Sequence, residues 1–130
     1  MSTIDDTVKI AMLNAALALL NAGSGDASGD LNLRNSGLTS LAVLPLSVTS
    51  FAGAANVSGT IKAAANAITP SGTPTAGTIA TGQLRNRANA ALFTFTIGTS
   101  GAEMNVGVVV IPGGTTAVGL TAFEVSLNAT

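Results

Sequence analysis

"TGQLRNRANAALFTFTIG" (residues 81–98) ends by alternating phenylalanine or isoleucine with threonine. A period of two marks a β-strand with one buried face, because successive side chains leave a pleated chain on opposite sides. The run therefore points Phe93, Phe95 and Ile97 inward and Thr94 and Thr96 outward, as one bent strand or two short ones. The pattern recurs on both sides of it. Leu31 and Leu33 alternate with Asp30, Asn32 and Arg34, "NVSGTIKA" (56–63) places Val57 and Ile61 on one side, and "GLTAFEVSLNA" (119–129) sends Phe123, Val125 and Leu127 to the core. "LAVLPLSV" (41–48) is apolar on both faces with Pro45 inside it; a proline cannot donate to the ladder, so an edge strand or a bulge is expected. "AANAITPSGTPTAGT" (64–78) reads as a long surface loop, and "MNVGVVVIPGG" (104–114) ends in a proline-glycine turn. Seven or eight short strands, with no internal repeat and no βαβ alternation, predict a mainly β fold: an antiparallel sandwich of jelly-roll type.

One segment breaks the rule. "TIDDTVKIAMLNAALALLNAG" (3–23) has helical spacing over about residues 4–21, with Ser2 or Thr3 as N-cap, Asp5 or Asp6 in the first turn and Gly23 as a left-handed stop. At 100° per residue, Ile10, Leu13, Leu17 and Leu20 form one apolar stripe, while Ile4, Val8, Met12, Ala15 and Leu19 form another roughly opposite. Thr7, Asn14 and Asn21 make a narrow polar seam between them. A helix apolar on two sides is normally covered on both, and a 130-residue chain is thin for enclosing one centrally. One stripe is thus expected on the chain's own sheet and the other against a neighbour; a helix clamped wholly inside its own domain is the competing reading. The organisation that follows is an N-terminal helix over 1–23 and a sandwich over 24–130, in one structural domain.

Composition agrees with a sticky subunit. Only 8% of residues are charged, 47% are hydrophobic, and the formal net charge is −1, so there is little repulsion to keep copies apart. Nothing in that balance points to nucleic acid or to anionic lipid. Asp5 and Asp6 stand where a secretory signal would be basic, and the apolar run is far short of the ~20 residues that span a bilayer, so neither a signal peptide nor a membrane span is expected. Cysteine is absent, which excludes disulfides and thiolate metal sites.

Catalytic chemistry finds little to work with. The chain has no histidine, the commonest general base and metal ligand, and neither Lys9 nor Lys62 has a serine at S-x-x-K spacing. An enzyme is not expected, nor a cofactor, a metal or a small-molecule substrate. Asp26 and Asp30 in "GSGDASGD" fit neither the twelve-residue calcium loop nor the nine-residue repeat and read as a plain turn. The glycines there lack the Lys-Ser/Thr of a phosphate loop, and no spacing pairs Glu103 with Glu124 in a cleft. Arg85 and Arg87, two apart, would share one face of a strand, either solvated or paired with acids of a partner subunit. The candidate interface is therefore Ile4, Val8, Met12 and Leu19 together with Arg85 and Arg87.

In chain order, the helix ending "LLNAG", then "LNLRNS", "LAVLPLSVTSFAGAANVSGT", "ATGQLRNRAN" and the closing "VSLNAT" resemble small virion structural proteins of tailed bacteriophages. Leu44, Pro45, Leu46, Phe51, Gly82 and Arg87 carry the match and read as strand and turn determinants. The resemblance implies a capsid decoration or cement protein, a homo-oligomer that bridges major capsid subunits on the virion surface after assembly in the bacterial cytoplasm. It leaves open a tail or tail-fibre subunit. A carbohydrate- or receptor-binding sandwich is the rival from another class, opposed by the absence of tryptophan and tyrosine, the usual platforms for sugars.

Overall fold

Asp5, rather than Ser2 or Thr3, starts the helix: its carboxylate accepts the Thr7 N–H at 2.8 Å. In the computed structural model, which describes residues 4–127, helix α1 runs Asp6–Ala18 and tightens into a 3₁₀ turn over Leu19–Asn21. Ser2 and Thr3 lie outside the described residues. Gly23 adopts the expected positive φ of 96°, and the chain leaves the helix there.

Strands account for most of the remaining regular structure. The chain has β1 (Asp30–Arg34), β2 (Ser40–Pro45), β3 (Ala55–Val57), β4 (Thr60–Ala64), β5 (Gly77–Thr78), β6 (Thr81–Arg85), β7 (Ala91–Gly98), β8 (Met104–Asn105), β9 (Val110–Ile111) and β10 (Glu124–Leu127). They form a five-stranded sheet in the order β2-β1-β6-β7-β8, a three-stranded sheet in the order β10-β4-β3, and the two-stranded pair β5-β9. Mainly β with one N-terminal helix is thus the architecture. The described strands are ten in three sheets, not seven or eight, because glycine and proline cut the 104–114 run into short pieces and a turn divides 55–64. All pairings are antiparallel except β7 with β8.

Register explains which residues reach the core. Leu31 pairs with Leu44 on one side and Leu84 on the other, Leu84 with Phe93, and Gly82 with Phe95, so one face of the large sheet is a continuous apolar layer. Across that layer the Phe95 and Phe123 rings sit 5.7 Å apart, and Phe123 meets Phe51 edge-on at 6.0 Å, joining the two larger sheets through aromatic contact. Helix α1 lies on the β10-β4-β3 sheet, and Leu13, Leu17 and Leu20 enter the same cluster. Pro45 ends β2, an edge strand, as a proline there requires; the irregularity in the β1-β2 ladder lies at the other end, between Leu33 and Arg34.

Three expectations need correction. Val57 and Ile61 lie on opposite faces: Ser58 and Gly59, at φ 53° and 88°, fold the segment into a hairpin that pairs Asn56 with Ile61, so Val57 is exposed while Ile61 is buried. Asp30 and Asn32 are buried despite facing away from the apolar layer. Both are held by side chains of the two flanking strands: the Arg85 guanidinium clasps Asp30, while Asn32 donates to Gln83 and accepts from the Ser40 hydroxyl. Finally, residues 64–78 are not one surface loop, since Ala64 belongs to β4, Gly77 and Thr78 to β5, and Ser71 is buried with its hydroxyl accepting the Val118 N–H.

Candidate interaction surface

Which stripe of the helix turns inward is decided by the polar seam. Asn14 Oδ1 accepts the Ala54 N–H at 2.8 Å, and Asn21 Oδ1 accepts both the N–H and the hydroxyl of Ser50, at 2.9 and 2.8 Å. Ser50 is fully buried, so Asn21 satisfies two donors that water does not reach. Near the other end, Asn56 Nδ2 donates to Asp6 Oδ2. These ties run along one line of the helix and fix its rotation about its axis.

With the rotation fixed, the two stripes separate. Leu13, Leu17 and Leu20 are buried and Ile10 packs beside them. On the opposite side Val8 is 49% exposed, Met12 45% and Leu19 55%, with the exposed Ala11, Ala15 and Ala18 among them and Ile4 half-buried at the start. The outer stripe is therefore three large apolar side chains on a bed of alanines. Helical spacing at 8, 12, 15 and 19 keeps them on one side, and the alanines leave a smooth surface that another chain can approach closely. Large hydrophobic residues left uncovered in a row mark contact surfaces more often than single ones do.

The arginines are placed differently from the expectation. Arg85 closes β6 with a bidentate pair to Asp30, Nε to Oδ1 at 2.6 Å and Nη2 to Oδ2 at 3.0 Å, within the same chain. Arg87 has left the strand: it sits in the 86–90 turn, its Nε donating to the Asp26 carbonyl at 2.9 Å and its N–H to the Ala22 carbonyl. They do not share a strand face, because β6 ends between them. Arg87 instead ties the turn to the segment that follows the helix, and Asp30, read from the sequence as part of a turn with Asp26, is the first residue of β1 and is occupied by a guanidinium.

A second feature was not legible from spacing. A groove of about 680 Å³ runs between β7 and β10, floored by Leu84, Phe93, Phe95, Met104, Phe123 and Val125. Glu103 and Glu124, which no spacing paired, both line it. Glu103 is engaged there, Oε1 accepting the Thr96 N–H at 3.2 Å while its own N–H donates to Thr96 Oγ1. The signal in sequence was the alternation in both strands; what it lacked was their adjacency, which only the topology supplies.

Among the described residues no three acidic, histidine or cysteine side chains gather as a metal site, and no helix is long and apolar enough to cross a membrane. Comparison with family models, with curated proteins and with solved structures gives no match.

Proposed function

We propose that this chain is a structural subunit of a phage virion, a decoration or cement protein that stabilises the head by bridging neighbouring major capsid subunits. The observation that carries the reading is the outer stripe of α1: Val8, Met12 and Leu19 are about half exposed, in a chain with only 8% charged residues. The resemblance of its segment order to small tailed-phage virion proteins is the second reason for the reading. In this reading the five- and three-stranded sheets, joined through Phe95 and Phe123, act as the two layers of a sandwich that holds the helix rigidly outward. Covering apolar surface contributes about 25 cal/mol per Å², much of it offset by ordering, so one contact is weak. Many copies on one shell make the effect large through multivalency.

Purified particles test the proposal. The subunit should co-purify with tail-less heads in numbers comparable to the shell protein, and heads lacking it should release genome on milder heating. Copies confined to isolated tails would move the reading to a tail or tail-fibre subunit, and absence from particles would reject it.

A further inference from the structure

The groove between β7 and β10 has two strand edges along it. Ala65 N–H donates to the Phe123 carbonyl, so Phe123 and Val125 direct their backbone groups toward β4. By alternation, the N–H and C=O groups of Glu124 and Ser126 point the other way, into the groove. On the facing wall, Ile97 N–H donates to Ala80, which turns Phe93 and Phe95 toward β6 and leaves Thr94 and Thr96 pointing outward. Thr96 is capped by Glu103, and β8 covers the end of β7. The edge of β10 has neither protection among the described residues: β4 is its one strand neighbour.

An unprotected edge beside a floor of phenylalanine side chains suits an added strand, whose backbone would pair while every second side chain sinks into the groove. The rim selects what that strand carries. Glu103 and Glu124 line the groove, and no lysine or arginine does. A second folded copy does not supply the matching charge on an extended segment. Arg34, Lys62 and Arg85 lie in β1, β4 and β6, each paired on both sides, while Lys9 is helical and Arg87 is in a turn. We propose that the groove is a strand acceptor for a different protein: an extended segment that alternates apolar with polar residues, carries a lysine or arginine, and adds to the free edge of β10. This does not depend on the helix stripe or on a viral role.

The test uses the full chain, isotope-labelled, titrated with an eight-residue peptide that alternates valine and threonine around one lysine. Amide signals of Glu124 and Ser126 should shift and their hydrogen exchange should slow by about tenfold or more at saturation. N-methylation of the peptide at alternate residues, which removes the donors facing β10, should abolish binding; replacing its lysine by glutamate should weaken binding about tenfold, and E124Q should reduce that discrimination. Three results would overturn the proposal: no shifts at millimolar peptide, shifts that leave Glu124 and Ser126 exchange unchanged, or edge protection that grows with protein concentration without peptide, which would mean self-pairing.

Discussion

Replacing Val8, Met12 and Leu19 together by glutamine separates the two faces of the helix. Full burial of an aliphatic side chain contributes roughly 1.5–3 kcal/mol. These three are 49%, 45% and 55% exposed, so about half of that remains to be gained by each when a partner covers it. Roughly 2–4 kcal/mol per subunit is then at stake, and at about 1.4 kcal/mol per decade the loss is on the order of 30- to 700-fold in affinity. The free subunit should hardly notice: none of the three belongs to the buried cluster, glutamine is a good helix former whose methylenes keep much of the existing contact, and the change in folding stability should stay within about 0.5 kcal/mol per site. L17A is the contrasting control, since that buried leucine should cost about 2–5 kcal/mol in folding. Sedimentation with heads stripped of the subunit, alongside thermal melting, reads both quantities. A triple variant that still binds heads within a factor of about three of the parent would refute the reasoning, as would one that melts as early as L17A.

Three further outcomes concern the supports of these surfaces. D30A removes the partner of Arg85, whose side chain is only 19% exposed, and should lose about 3–5 kcal/mol in urea unfolding; pairing D30L with R85M should restore most of it. N21A strands the buried N–H and hydroxyl of Ser50 and should cost about 2–4 kcal/mol, with faster hydrogen exchange at Ser50 as the local readout. G29A drives a Cβ to 2.6 Å from the Arg85 carbonyl oxygen and 2.7 Å from that of Leu20, so about 2–3 kcal/mol is expected, whereas G53A, with open space around it, should melt within a degree or two of the parent.

The strands with a strict period of two were legible because alternation needs only local sequence. Phe93, Phe95 and Phe123 go inward, with Thr94 and Thr96 outward, as their pattern requires. Alternation fails where a turn inverts the phase, as at Ser58-Gly59 between Val57 and Ile61. It fails again where a polar residue finds buried partners from distant strands, as Asn32 does with Gln83 and Ser40. The helix showed two equivalent stripes because moments on opposite sides cancel; its orientation resides in Asn14 and Asn21, whose acceptor oxygens have meaning only once the 50–54 segment is beside them. Arg85 and Arg87 misled for the same reason: spacing alone does not reveal that the strand stops between them.

A chain this poor in charge lacks the usual means of keeping sheet edges from pairing indiscriminately, which is to line them with lysine. Two edges of the large sheet are blunted individually instead. Pro45 terminates β2, the Glu103 carboxylate takes the Thr96 N–H on β7, and β8 covers the last residues of that strand. Against these specific devices the open edge of β10 stands out, and so does the uncovered outer stripe of α1, which rests on the same three-stranded sheet. One sheet therefore carries both an apolar helical face and an unpaired strand edge, each held in place by buried contacts that a partner need not disturb. E103A discriminates protection by design from incidental contact. Removing that carboxylate exposes the Thr96 N–H without touching the core, so the variant should melt within about 1 kcal/mol of the parent yet self-associate at lower concentration in light scattering. Unchanged association would mean that β7 needs no guard, and the contrast with β10 would then lose its force.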